Sequence, residues 1–292
     1  MNYRHAYHAG NFADVLKHVT LALTIEYLKK KDAAFRIIDT HAGRGEYALQ
    51  SAEAVKTREW EGGIGRLVGP DAETLPLDVR RVMAPYLEAV RAENPNDLSI
   101  YPGSPLIARR LMRNQDRLIA NELHPDDVIA LKKALARDRR VKVLTLDGWD
   151  ALKSLLPPKE KRGIVLIDPP FEQGNEFERL VEGLEAGLRR FATGVFLAWF
   201  PIKEPRPVAQ FYDRLSKLAA EILRVELRLR GPEATDDFLN GCGLIVANPP
   251  YSLEGELATI LPELVRRFGR DPAAAFRMDT VASRLGGSAA RK

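Results

Sequence analysis

Apolar residues recur along this chain with two different periods, and the change from one to the other outlines the fold. Over residues 12–29, Leu16, Val19, Leu23 and Tyr27 share one face at helical spacing, with Asn11 placed to cap the first turn and Asp14 three positions on. Phe35-Arg36-Ile37-Ile38-Asp39 reads as a short strand running into a turn built on Gly43 and Gly45. The stretch from 50 to 103 differs in character. Gly62-Gly63 and Gly69-Pro70 punctuate it, and Val79, Val82, Met83, Tyr86, Leu87 and Val90 follow the spacing of a half-buried helix. No strand pattern is evident there. The expectation is a helical insertion, 50–103, packed on a main domain made of 1–49 and 104–285, with a disordered tail at 286–292.

After the insertion, strand and helix patterns alternate. Strands are predicted at 116–122, 141–146, 163–167, 194–200, 223–229 and 244–247, and helices at 125–137, 148–156, 177–190 and 207–220. Such alternation predicts a mostly parallel sheet covered by helices on both faces. The last two strands are joined only by Gly231-Pro232 to Gly241, too short for a parallel crossover, so they form an antiparallel hairpin. The expected fold is therefore α/β and Rossmann-like, with seven strands ending in that hairpin.

Composition narrows the class. Of the 292 residues 45% are hydrophobic and 29% charged, enough to build a sizeable core. No apolar run approaches the ~18 residues a membrane helix needs, and the first residues lack the apolar core of a signal peptide, so a cytoplasmic, membrane-free protein is expected. Cys242 is the only cysteine, which excludes an internal disulfide or a thiolate cage. His5, His8 and His18 without thiolates make a poor metal set, and no metal is expected. The balance of 44 Lys+Arg against 40 Asp+Glu, net +4, is compatible with a nucleic-acid partner without requiring one. Basic clusters such as Lys29-Lys30-Lys31 and Arg189-Arg190 read first as solvated helix ends. A monomer is expected.

Candidate chemistry gathers at strand ends. The first strand runs into Asp39-Thr40-His41-Ala42-Gly43-Arg44-Gly45, where glycines let backbone approach a ligand. The second ends in Glu122, placed to bind ribose hydroxyls, and the third in Asp147-Gly148, whose acid can accept from a cofactor adenine's amino group. Each acid also suits a helix N-cap. Ala48 in the third glycine position of G-x-G-x-x-G keeps a nicotinamide-dependent oxidoreductase open.

The fourth strand runs directly into Asp168-Pro169-Pro170-Phe171. The prolines stiffen the loop and end the strand. An adenine's exocyclic nitrogen is a poor nucleophile because its lone pair is delocalised into the ring. A carboxylate accepting one N–H, with a carbonyl accepting the other, localises that pair toward an electrophilic methyl. Asp168 fits this role and takes or relays the proton. Phe171 would stack on the base once it is swung out. The plain alternative is a proline-terminated strand with a core Phe. Asn248-Pro249-Pro250-Tyr251 repeats the pattern, and topology separates the two. An antiparallel last strand ends at the opposite edge of the sheet, whereas the fourth should neighbour the first across the switch point. Asp168 is the reacting candidate and Asn248 a structural strand exit.

Taken together, Tyr3-Arg4-His5-Ala6-Tyr7-His8-Ala9-Gly10-Asn11, Asp14-Val15-Leu16-Lys17-His18, Asp39-Thr40-His41-Ala42-Gly43, Tyr101-Pro102-Gly103-Ser104-Pro105, Glu122-Leu123-His124-Pro125, Asp147-Gly148 and Ile167-Asp168-Pro169-Pro170-Phe171 resemble the RlmJ family. These are bacterial methyltransferases of adenine N6 in 23S rRNA, at adenine 2030. The resemblance implies S-adenosyl-L-methionine as cofactor and 23S rRNA, protein-free or in an early assembly precursor, as partner. It implies that His18, His41, Ser104, Glu122, Asp147, Gly148 and Asp168 line the cofactor site beside the Gly43 turn, and that Tyr3 contacts RNA. Phe171 stands where Tyr is common in the family, and either ring can stack. From the residues alone three alternatives stay open. A DNA adenine-N6 methyltransferase fits the motif equally, an oxidoreductase leaves Asp168-Pro169-Pro170-Phe171 idle, and a non-catalytic nucleic-acid-binding protein would not need Asp168.

Overall fold

The computed structural model describes residues 4–203, 205–231 and 239–281. Tyr3 and the 286–292 tail lie outside them. A 3₁₀ turn at His5–Tyr7 leads into α1 (Phe12–Lys29), where the Asn11 side chain accepts from the Ala13 and Asp14 backbone N–H groups. This cap is the one expected from sequence. The helix is buried nearly all round, with Val15, Leu16, Val19, Leu21, Ala22 and Ile25 inaccessible, because it is wedged between the sheet and the helices Leu77–Ala92, Ser104–Leu111 and Leu253–Phe268.

The remaining elements follow in order: β1 (Arg36–Asp39), β2 (Glu46–Ala48), α2 (Ala52–Thr57), α3 (Gly65–Val68), α4 (Leu77–Ala92), β3 (Ile100–Pro102), α5 (Ser104–Leu111), β4 (Arg117–Asn121), α6 (Pro125–Ala134) and β5 (Val141–Leu144). Then come α7 (Gly148–Leu155), β6 (Gly163–Ile167), α8 (Glu176–Arg190), β7 (Val195–Ile202), α9 (Pro205–Leu215), β8 (Ile222–Arg228), β9 (Gly241–Ala247), α10 (Leu253–Phe268) and β10 (Ala275–Val281).

The main sheet has the order β5-β4-β1-β6-β7-β9-β8-β10. β1 lies between β4 and β6 and is parallel to both, so its carboxyl end is the point where the strand order reverses. β9 runs antiparallel to β7 and β8, which bears out the hairpin. The sheet has eight strands rather than the expected seven, because β10 adds antiparallel to β8 at the edge. Its register is held by polar contacts, the Arg224 guanidinium donating to both oxygens of Asp279 at 2.7 and 2.5 Å. A mostly exposed edge strand of this kind carries no buried apolar stripe. One face of the sheet buries α1, α4, α5 and α10 residues, and the other buries Trp149, Leu180, Leu184, Phe211 and Leu215 from α7, α8 and α9.

The stretch from 50 to 103 holds a strand after all. β3 pairs antiparallel with β2, with Tyr47 opposite Tyr101. Three residues are too few for an alternation to register in the sequence. The buried face of α4 (Val79, Met83, Tyr86, Leu87, Val90) joins the same apolar core as α1 and α10. Arg267 of α10 ties the outer part down, donating to the carbonyls of Arg66 at 2.7 Å and Glu73 at 3.0 Å. At the far edge Asn248, in the left-handed region at φ +55°, donates to the carbonyls of Ala192 and Gly194, both at 2.8 Å. That is a structural turn. Among the described residues no helix is long and apolar enough to cross a membrane.

Candidate active site

The carboxyl ends of β1, β4 and β6, together with α1, enclose a cavity of about 510 Å³. Each strand delivers one polar group to it, because strands ending at the same edge of a parallel sheet place their exit loops side by side. After β1, Gly43 turns in the left-handed region (φ +61°), and a Cβ there would collide with the Tyr47 hydroxyl. After β4, Glu122 accepts from the Gly43 N–H at 2.8 Å and the His124 N–H at 2.7 Å, so one carboxylate braces the glycine turn. Burial raises its pKa. Ser104, first residue of α5, donates to the Asp39 carboxylate at 2.6 Å. Burial pushes Asp39 up to about 7, and the Asp168 charge adds to that rise.

Four histidines line the cavity, His5, His8, His18 and His41, and burial keeps the last two neutral. Burial lowers His18 to about 3 and His41 to about 4, and in each case the attraction of nearby carboxylates is the smaller effect. His18 Nδ1 lies 2.7 Å from the Tyr101 hydroxyl. His41 packs edge-on against Trp149.

After β6, Asp168 is met by the ammonium of Lys17, which donates to its carboxylate and also lies 2.9 Å from Asp14. Asp14 accepts in turn from the Gly10 N–H at 2.8 Å and pairs with His5 at 2.9 Å. Burial works to lower the Lys17 pKa, but Asp14 and Asp168 outweigh it and hold it well above its ordinary value. Burial likewise works to raise Asp14, and His5 and Lys17 outweigh it, leaving the carboxyl well below its ordinary value. Phe171 follows in the left-handed region (φ +51°), a conformation that costs a bulky residue on the order of 1–3 kcal/mol and clusters at functional sites. Its ring meets Trp199 edge-on at 5.8 Å and Phe177 at 5.0 Å.

The structure thus brings His18, His41, Gly43, Ser104, Glu122, Asp168 and Phe171 to one cavity. Asp147 is not brought into it. Its carboxylate caps α7, accepting from the Trp149 N–H at 2.9 Å, and lies 3.7 Å from Arg179. Gly148 sits beside His41, whose Nε2 occupies the space a Cβ at that position would need. Asp14, Lys17 and Asp39 stand in the sequence motifs without a role that those motifs assign, and Trp199 stands in none. An Asp–Lys pair at i, i+3 beside the apolar face of α1 is the available signal for Asp14 and Lys17. Among the described residues no group of three or more His, Cys, Asp or Glu could hold a metal ion.

A doubly wound sheet with an inserted antiparallel strand, a glycine turn after the first strand and an Asp-Pro-Pro exit beside it define a class I methyltransferase. The model of the family described as "Ribosomal RNA large subunit methyltransferase D, RlmJ" matches residues 32–280. The chain belongs to this family. A Haemophilus influenzae protein named Ribosomal RNA large subunit methyltransferase J is 40% identical over 269 residues, covering 91% of this chain and 93% of its own. The Escherichia coli K12 protein of the same name is 41% identical over 266 residues, covering 90% and 92%. A crystal structure of a Legionella pneumophila protein matches with a TM-score of 0.85 at 34% identity, covering 95% of this chain and 99% of that one.

Proposed function

We propose that this methyltransferase uses S-adenosyl-L-methionine to methylate the exocyclic N6 of an adenine in 23S rRNA, adenine 2030, in the cytoplasm. The observation that carries the reading is the meeting of Asp168 with the glycine turn, Ser104 and Glu122 in one cavity at the switch point of the sheet. The names of the two curated relatives support ribosomal RNA as the substrate.

The lining fits the cofactor. Gly43 makes the tight left-handed turn that packs under the Tyr47 hydroxyl at the cavity wall, and Glu122 keeps lone pairs free for hydroxyl donors beyond the backbone N–H groups it accepts. Gly43, His18, His41, Ser104, Glu122 and Asp168 would hold it, with Asp147 and Gly148 supporting His41 from behind the α7 cap. When bound, it supplies an electrophilic methyl group on a sulfonium. The protein's own residues prepare the acceptor. Asp168 accepts one N–H of the adenine amino group and takes or relays its proton, while Lys17, anchored on Asp14, orients the carboxylate. Phe171 and Trp199 form an aromatic wall against which a flipped base stacks. Tyr3, next to this N-terminal stretch, would contact the RNA.

The test is incubation with methyl-labelled cofactor and protein-free 23S rRNA, followed by mapping of the modified base. Label at N6 of adenine 2030, lost in Asp168→Asn, is expected. Transfer to another atom, or to DNA alone, overturns the proposal.

A further inference from the structure

His18, Tyr101 and Tyr86 form a chain of buried polar groups running from the cavity into the core of the insertion. His18 is 1% exposed, and both tyrosines are fully buried. The Tyr101 hydroxyl lies 2.7 Å from His18 Nδ1 and 3.2 Å from the Tyr86 hydroxyl. The His18 and Tyr101 rings stack, with centroids 5.6 Å apart. Neither distance reveals which atom carries the hydrogen, but the arithmetic of donors and acceptors does.

Suppose His18 carried its hydrogen on Nδ1. It would donate to Tyr101, Tyr101 would donate to Tyr86, and the Tyr86 hydroxyl hydrogen would have nowhere to go. Tyr86 has no hydrogen-bond partner besides Tyr101 among the described residues. A buried unsatisfied donor costs roughly 1–3 kcal/mol. Reversing the chain removes the cost. Tyr86 donates to Tyr101, Tyr101 donates to the Nδ1 lone pair, and every hydroxyl hydrogen is used. The ring's hydrogen must then be on Nε2, since the bond made by one ring nitrogen decides the state of the other.

We propose that Tyr101, backed by Tyr86, is a positioning residue that fixes His18 as the Nε2–H tautomer and so makes it a hydrogen-bond donor toward the cofactor cavity. The neutral state of His18 is consistent with this, because a protonated ring would leave Nδ1 unable to accept. The inference deepens the cofactor assignment and rests on it for the ligand. It gives the insertion a chemical task, because β3 and α4, which carry the two tyrosines, decide what a histidine of α1 offers the ligand. A donor at this position selects an acceptor, such as the carboxylate of an amino-acid moiety, over an ammonium.

The test uses the full chain labelled with ¹⁵N-histidine. A long-range ¹H–¹⁵N spectrum reads the tautomer of His18, whose signals are identified by their loss in His18→Gln. The expected wild-type spectrum shows protonated Nε2 and unprotonated Nδ1. Tyr101→Phe is expected to mix the two tautomers and to weaken S-adenosylmethionine binding about tenfold, the effect of one lost hydrogen bond, with an unchanged circular dichroism spectrum. A wild-type Nδ1–H tautomer overturns the proposal, and so does a Tyr101→Phe protein that keeps both the tautomer and the affinity. If Tyr101→Phe does not fold, the wild-type spectrum decides alone. Failure of the wild-type protein to bind S-adenosylmethionine overturns the cofactor assignment instead, and the tautomer is still read without ligand.

Discussion

The ammonium of Lys17 on α1 donates to the carboxylate of Asp168 at the end of β6, joining the N-terminal helix to the reacting loop. Lys17 also holds Asp14, and both it and Asp14 are almost wholly enclosed. Removing Lys17 leaves Asp168 without its counterion and Asp14 with only His5, and breaking a buried pair in this way costs up to about 3–5 kcal/mol. Lys17→Met, similar in length but neutral, is expected to lower unfolding stability by that order in urea titration and to reduce methyl transfer. Unchanged stability would show that the cluster is solvated.

Asp39 gives the protein a pH dependence of unusual sign. Its carboxyl titrates near 7 in the folded state, because burial outweighs the Ser104 hydrogen bond, against about 3.9 in an unfolded chain. Between those values the folded state binds more protons than the unfolded one, so this residue makes stability fall as pH rises from about 4 to 7. Asp39→Asn removes the titration. Its stability relative to wild type should climb through that range, by on the order of 4 kcal/mol at most, and level off above it. Urea unfolding of both proteins from pH 4 to 8 measures this, and a difference independent of pH would refute it.

The two Pro-Pro motifs should separate cleanly on mutation. Asn248→Ala loses two hydrogen bonds and puts a Cβ residue less suited than Asn into the left-handed region, for a stability loss of roughly 2 kcal/mol. Its methyl transfer should be unchanged, since it lies at the opposite edge of the sheet. Asp168→Asn should keep the fold and lose at least about a hundredfold in rate. Comparable rate losses in both would place the chemistry elsewhere.

Gly148 is a test of His41. An added methyl would overlap His41 Nε2, so Gly148→Ala must displace the ring. Titration calorimetry is expected to show about tenfold weaker S-adenosylmethionine binding. Gly174, where an added Cβ would meet nothing within 4 Å, is the control, and Gly174→Ala should bind as wild type does. Equal affinities for all three proteins would remove His41 from the cofactor site.

Much of this was legible in the residues because it is local. The Asn11 cap, the alternation of strands and helices from 116 to 247, and the exits at Gly43, Glu122 and Asp168 depend on neighbours a few positions away. The short connection between β8 and β9 even separated Asp168 from Asn248, since an antiparallel last strand must end at the far edge.

Tertiary structure decided the rest. Lys17 and Asp168 are 151 residues apart, and His18 and Tyr101 are 83 apart, distances over which no period or spacing carries information. β10 is held by its pairing with β8 and by Arg224 and Asp279, with only Met278 and Val281 partly packed on the core, and β3 exists because β2 is there to pair with it. Asp147 shows the same division. Its cap on the Trp149 N–H is local and readable in the sequence, whereas its approach to Arg179 on α8 is set by packing. Which strand ends the chain would form was determined locally; which side chains would meet there depended on packing, because burial sets both the partners of a charge and the proton it carries.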